Sequence, residues 1–367
     1  MTKVIHIITT IERGGAENQL LILVKEQIAS NLEVSVIYLK GKAELKHEMI
    51  ASGVHVISDV ANAPILSQVL ILKKILRQHI GVIHAHLPRA ELLTKLALGN
   101  KSFIITRHNT EPFFPKAPGI LSKILSRWST SKGNLIIAIS EAVRIYLRSS
   151  LEISKKKKIF VIPYGYVKNA KFDKSRQLDL IEKYGLNRND FIVGTIGRLT
   201  HQKNYPTMLA AFELFSKYLD NAKILIIGVG HLEEELREFV SELGISDKVI
   251  WVGKTSEIND HLKLMDLFVL SSHYEGFGLV LLEALSFKLP IVATNISAMP
   301  EVLGLDYPLL CKLRDPEDFS NKLKLVASNS KETITAKAMS EQILSNFTSV
   351  KMANNLNQIY LRVLEDK

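Results

Sequence analysis

Short apolar runs alternate with longer helical stretches along most of this chain, and the alternation starts a second time after Pro163. The first series of strand candidates is Val4–Thr9, Glu33–Leu39, Val54–Ile57, Val82–Ala85, Phe103–Arg107, Leu135–Ile139 and Lys158–Ile162. The second is Phe191–Gly197, Ala222–Gly228, Val249–Val252, Leu267–Leu270 and Pro290–Ala293. Amphipathic stretches such as Asn18–Ala29 and Ser67–Gln78 lie between them. Strands separated by helical crossovers pair in parallel, with helices on both sheet faces. The pattern therefore predicts an α/β chain of two doubly wound domains. Residues 163–190, rich in Lys, Asn and Asp, lack apolar periodicity and mark the expected boundary, giving domains 1–165 and 166–349. A length of 367 residues also exceeds what one core usually spans.

Within the second series, Glu275-Gly276-Phe277-Gly278-Leu279-Val280-Leu281-Leu282-Glu283 places two carboxylates around a glycine-phenylalanine-glycine turn. The preceding run, Leu267 to Ser272, reads as a buried strand with a polar end. Leu279 to Phe287 reads as an apolar helix. One acid then sits at a strand's carboxyl end and the other one to two turns into the next helix. The amides of Gly276, Phe277, Gly278 and Leu279 fall at that helix's N-terminus, where unpaired N–H groups and the macrodipole favour an anion. A phosphate flanked by two hydroxyl-binding carboxylates has the shape of a nucleotide-sugar.

This run resembles the signature of the family 4 retaining glycosyltransferases. The resemblance covers nearly the whole chain, strongly from Gly197 to Glu301, clearly at Gly14-Gly15-Ala16-Glu17 and more loosely between residues 30 and 160. It implies the GT-B fold, two Rossmann-like domains facing a central cleft. It also implies that the terminal helix, Val350–Leu364 with Leu356, Ile359, Tyr360 and Val363, crosses back onto the first domain. The donor would bind the second domain and the acceptor the first. Glu283 would bind ribose hydroxyls and Glu275 the donor sugar. Gly197, Arg198 and Lys203 match the family's phosphate-binding loop, and His108 occupies a position where relatives contact the sugar. Retention at the anomeric carbon is likewise implied only by the resemblance.

The chemistry suits these residue types. Cleavage at an anomeric carbon passes through an oxocarbenium-like transition state while negative charge grows on the departing diphosphate. Arg198 and Lys203 lie five apart on one loop, so a fork and a point charge can reach one diphosphate. No Asp-x-Asp occurs in the chain, so the reading needs no metal and no cofactor. Gly228-Val229-Gly230 after another strand is a weaker phosphate-loop signal, since tight turns use glycine equally well.

On the acceptor side, Gly14-Gly15 opens a helix after the first strand and allows close backbone approach to a ligand. His84-Ala85-His86 ends another strand. The two histidines are expected on opposite faces, with no shared metal, one of them a core residue and His86 lining the cleft. Ser140-Glu141 fits the family pattern without an assigned chemistry.

Charge is distributed unevenly. Residues 1–165 hold 23 Lys+Arg against 11 Asp+Glu, whereas the remainder is slightly acidic within a total of +10. An excess confined to the first half points to an anionic partner. Residues 112–132 set Phe113, Phe114, Ile120, Leu121, Ile124, Leu125 and Trp128 beside Lys116, Lys123, Arg127 and Lys132. That is the composition of an interfacial helix at an anionic membrane surface, or of a core-packed helix with a basic solvent face.

The expected partners are a nucleoside diphosphate sugar, with a UDP-sugar preferred, and a saccharide or lipid-linked saccharide acceptor for surface polysaccharide or glycolipid synthesis. The single Cys311 excludes an internal disulfide and fits a cytoplasmic setting. No apolar stretch is long enough to span a membrane, so any membrane contact would be peripheral at the inner face. Two alternatives remain open. A GT-B nucleotide-sugar epimerase would work without acceptor. A nucleic-acid-binding protein would explain the pI, but the basic half lacks a base-reading motif or an aromatic platform.

Overall fold

The computed structural model describes residues 2–365 apart from 116, 132, 133 and 169–172. The expected cations Lys116 and Lys132 lie outside the described residues. The chain divides into two compact units, Met1–Val167 with Phe347–Lys367, and Lys168–Asn346.

The first unit runs β1 (Lys3–Ile8), α1 (Gly15–Ala29), β2 (Glu33–Tyr38), α2 (Lys46–Ala51), β3 (His55–Ile57), α3 (Ile65–Gln78), β4 (Val82–His86), α4 (Pro88–Leu98), β5 (Ile104–Arg107), α5 (Gly119–Ser129), β6 (Leu135–Ala138), α6 (Glu141–Ser149) and β7 (Ile159–Val161). The strands form one parallel sheet in the order β3-β2-β1-β4-β5-β6-β7. Helices cover both faces, which is why β1 and β4 are buried almost end to end and read as continuous apolar runs.

The second unit runs α7 (Lys174–Lys183), β8 (Phe191–Ile196), α8 (Tyr205–Ser216), β9 (Ala222–Ile227), α9 (Glu233–Glu242), β10 (Val249–Gly253), α10 (Ile258–Leu264), β11 (Leu267–Leu270), α11 (Leu279–Ser286), β12 (Ile291–Thr294), α12 (Met299–Leu303), β13 (Leu310–Cys311), α13 (Pro316–Ala327) and α14 (Lys331–Asn346). Its sheet is also parallel, in the order β10-β9-β8-β11-β12-β13. Strand β13 was not anticipated. Two residues carry too little periodicity to register, and the strand exists through its pairing with β12.

In both sheets the strand order reverses once, between β1 and β4 and between β8 and β11. Ligands in open α/β sheets bind beyond the carboxyl ends of strands at such a reversal. The Gly14-Gly15 loop follows β1, and the Arg198–Lys203 and Glu275–Gly278 loops follow β8 and β11.

After the second unit the chain returns to the first as α15 (Ser349–Glu365), as the resemblance implied. Tyr166 N–H donates to Phe347 O at 2.6 Å and Ser349 N–H to Tyr166 O at 3.1 Å, which seats the returning segment. Helix α15 packs on α1 and β4, burying Met352, Leu356, Ile359 and Tyr360. Among the described residues no helix is long and apolar enough to cross a membrane.

Two expectations need correction. His84 and His86 do not lie on opposite faces of β4. A strand repeats every two residues, so i and i+2 share a face, and their ring centroids are 4.1 Å apart. Helix α5 is not core-packed through its apolar side either. Its buried residues are Ser122, Ser126 and Ser129, while Ile120, Leu121, Ile124 and Trp128 are exposed.

Candidate active site

In the second unit the loops after β8 and β11 are fastened to each other. Ser271 Oγ donates to Lys203 O at 2.9 Å, and Asn204 Nδ2 donates to Ser271 O at 3.2 Å. His273 N–H donates to Gln202 O at 2.8 Å. On this frame Lys203 Nζ donates to Glu275 Oε1 at 2.6 Å, and both side chains are largely buried. Ser272 Oγ donates to the same carboxylate oxygen at 2.6 Å. The Glu275 backbone is held by Ser297, whose Oγ donates to Glu275 O at 2.8 Å. Sequence reading did not single out Ser272 or Ser297, since small polar residues after strands are ordinary turn formers.

Gly276 is half-buried and Phe277 is buried, anchoring the turn. Gly278 then takes φ +86° and starts α11 without a side-chain cap. Its freedom in the left-handed region is what that tight entry requires. The first amides of α11, from Leu279 on, therefore have no capping side chain, the arrangement that favours an anion.

Gly228 is set by a close approach. Its φ is +141°, and a Cβ there would stand 2.0 Å from Gly197 O. Only glycine lets the ends of β8 and β9 meet, so this loop carries more information than its sequence suggested. Arg198 is exposed and has no ion pair among the described residues.

Glu283 rises from α11 between the buried Leu281, Leu282, Ala284 and Leu285. The residue keeps some surface, yet enough protein surrounds its carboxyl that burial raises its pKa above the usual carboxylate range. No hydrogen bond or ion pair engages that carboxyl among the described residues. His273, also unanticipated, has its pKa lowered by burial and then by the charges of Arg314 and His201.

In the first unit, Gly14 is the N-cap of α1 and Gly15 its first residue, with Thr10 Oγ1 donating to Glu17 Oε1 at 2.5 Å nearby. His86 was expected to line the acceptor cleft. It is instead buried, with Nε2 2.9 Å from His6 Nδ1 and Nδ1 3.3 Å from His108 Nε2. His108 keeps some surface and bonds Tyr164 OH through Nδ1 at 2.5 Å.

These contacts belong to one chain of hydrogen bonds. His6 Nε2 meets Gln27 Oε1 at 2.9 Å, and Gln27 Nε2 donates to Tyr360 OH at 3.4 Å. Tyr360 OH meets His84 Nδ1 at 2.7 Å, and His84 Nε2 meets Thr106 Oγ1 at 2.7 Å. With the Gln27 amide oxygen on His6 and the imidazoles neutral, one set of donors satisfies these contacts. Tyr164 donates to His108, His108 to His86, His86 to His6, His6 to Gln27, Gln27 to Tyr360, Tyr360 to His84, and His84 to Thr106.

That set puts the ring proton of each histidine on Nε2, and the lowered pKa values agree with neutral rings. Burial lowers His6 to about 4 against a weaker opposing effect of the Gln27 bond. Burial and the Arg107 charge lower His108 to about 3. His84 and His86 are lowered by burial and by their neighbouring histidines. His6, His84 and His86 also bring ligand-type nitrogens within 4.8 Å of one another, but each of those nitrogens already has a protein partner. His86 acts here as the support of His108.

The sequence matches the family model "Glycosyltransferase Family 4" over residues 13–167 and "Glycosyl transferases group 1" over residues 177–343. It is 25% identical over 297 residues to N-acetyl-alpha-D-glucosaminyl L-malate synthase of Bacillus anthracis, covering 79% of this chain and 77% of that protein. It is 26% identical over 313 residues to the UDP-Gal:alpha-D-GlcNAc-diphosphoundecaprenol alpha-1,3-galactosyltransferase of Escherichia coli, covering 82% and 80%. The structure of Anabaena Alr3699/HepE in complex with UDP and glucose matches at a TM-score of 0.83 and 18% identity, covering 98% of this chain and 99% of that one. The fold is that of a GT-B glycosyltransferase. The chain belongs to the family 4 glycosyltransferases.

Proposed function

We propose that this glycosyltransferase moves a hexose from a UDP-sugar to a hydroxyl of a saccharide or lipid-linked saccharide, with retention at the anomeric carbon and without a metal. One observation carries the reading. Lys203 and Glu275 meet on the two loops flanking the β8/β11 reversal, beside the uncapped start of α11.

Arg198, Lys203 and the amides from Gly276 to Leu279 hold the diphosphate, and Gly197 and Gly228 let the backbone come close. Glu275 binds the sugar. Glu283, whose carboxyl lacks a partner among the described residues, takes the ribose hydroxyls. His108 offers a ring nitrogen to the transferred sugar by exchanging its bond to His86 or Tyr164. Gly14 and Gly15 border the acceptor. In the transfer, the bond from the anomeric carbon to the diphosphate oxygen breaks. The acceptor oxygen bonds that carbon on the same face, and its proton passes to the departing phosphate. The cations and helix N-terminus stabilise the charge left on the diphosphate.

A UDP donor is supported by the UDP in the Anabaena structure and by the UDP-Gal of the E. coli relative's name. The latter also supports a lipid-linked acceptor, met at the inner face of a membrane. No nucleic acid partner is invoked. Thermal-shift measurements with UDP-, GDP- and ADP-sugars test the donor, since a ligand of the folded state raises its melting point. A shift with GDP- or ADP-sugars alone removes the UDP assignment. Loss of turnover in EDTA, restored by a divalent ion, removes the metal-free one. An inverted product anomer removes retention.

A further inference from the structure

Helix α5 is built inside out. Of its inward serines, Ser126 and Ser129 serve a buried charge cluster rather than an apolar core, and Ser122 accepts from the Phe114 N–H. Arg107 forks onto Glu91 with two bonds of 2.8 Å and reaches Glu152 at 3.2 Å. Ser126 Oγ accepts from Arg107 at 2.9 Å, and Ser129 Oγ donates to Glu91. A polar seat turns the apolar residues outward. Ile120 is 77% exposed, Ile124 57%, Leu121 47% and Trp128 41%. At about 100° per residue, Ile120, Ile124 and Trp128 form one stripe, with Leu121 beside it and the exposed Lys123 and Arg127 along its other edge.

Arg127 also lines an open cleft with Lys155, Lys156 and Lys157. Helix α3 repeats the arrangement: Leu66 and Leu70 are exposed, and the exposed Lys73, Lys74 and Arg77 follow within two turns. Helices α3, α4 and α5 pack in that order, and right-handed crossovers place them on one side of the sheet. An apolar face spread over neighbouring helices and bordered by cations fits an extended anionic plane better than a single partner segment.

We propose that the outward face of α5, with the basic cleft beside it, docks on an anionic lipid bilayer. Ile120, Ile124 and Trp128 enter the headgroup–acyl boundary, and Arg127 with the exposed Lys155 and Lys156 meets lipid phosphates. This deepens the membrane setting proposed above, but vesicle binding and sugar transfer fail independently.

The test is co-sedimentation of the full chain with vesicles of phosphatidylcholine alone or mixed with phosphatidylglycerol. Binding is expected only to the mixed vesicles, weakening as salt rises. Ile124→Glu should lower the partition by about tenfold or more, and Lys155→Glu with Lys156→Glu by severalfold with a flatter salt dependence. In a Trp251→Phe background, Trp128 emission should shift to the blue on vesicle addition. These positions are exposed, and Ile124→Glu should retain transfer to a water-soluble acceptor. Absence of binding to the mixed vesicles overturns the proposal, as does undiminished binding of Ile124→Glu. A wild-type dimer that Ile124→Glu disperses without any vesicle binding assigns the face to a second copy of the chain instead.

Discussion

Lys203 Nζ lies 2.6 Å from Glu275 Oε1, which joins the expected diphosphate cation to the expected sugar-binding carboxylate. In the proposed donor complex, a diphosphate at the start of α11 would share Lys203 with Glu275 or take it over, and either outcome would change what Glu275 offers to the sugar.

Lys203→Ala should lower turnover by about 10², the scale of losing one charge-stabilising donor. It also strands a buried carboxylate, so the melting temperature should fall. Adding Glu275→Gln should recover much of the melting temperature and none of the turnover. Initial rates and scanning calorimetry on the two single variants and the double variant separate these effects.

The proposed role of Glu283 exchanges stability for binding. Its carboxyl is enclosed without a partner among the described residues, and burial raises its pKa. Glu283→Met should stabilise the protein by about 1–3 kcal/mol by removing a poorly solvated charge. The same variant should lose the thermal shift produced by UDP. A lower melting temperature together with a normal UDP shift would return Glu283 to the status of an ordinary helix acid.

The buried imidazoles make the first unit sensitive to acid. His6 and His108 are held neutral in the fold, with pKa values of about 4 and about 3 against an ordinary 6.5. The unfolded chain takes up protons below 6.5 that the fold refuses, so this stability is whole above 6.5 and drains away as pH falls toward 4 and then 3. Each histidine adds up to about 1.4 kcal/mol per pH unit to that slope. Denaturant titrations across this range should show the decline, and His6→Gln should make it shallower.

Tyr360 is the link through which α15 enters the histidine chain. Tyr360→Phe leaves His84 Nδ1 and Gln27 Nε2 without their bonds, at a cost of about 1–3 kcal/mol. The melting temperature should drop while UDP binding in the second unit is retained. Hydrogen exchange should place the loosening in α15.

Much of the fold was legible because parallel strands covered on both faces leave apolar runs that need no partner to be seen. The observed ends of β2, β8, β9 and β11 lie within a residue of those expected, while β13 escaped because two residues have no period. The Glu275–Glu283 run was legible for a similar reason: a strand end, a glycine turn and a helix start are local events. The pairing of Lys203 with Glu275 was not, since seventy-two positions separate them. The shared face of His84 and His86 follows from strand period alone, against the expectation of opposite faces.

The sequence by itself determined the two parallel sheets, the position of the loops after β8 and β11 and the family, because each is written in local periodicity or in contiguous motifs. Only the tertiary structure decided which side of α5 faces water, that four histidines form one hydrogen-bonded chain with Tyr360, and that Gly228 sits where no Cβ fits. Periodicity tells which residues share a face but not what that face meets. What it meets is fixed by residues brought together from β1, β4, β5 and α15, far apart in the chain and adjacent only once it has folded.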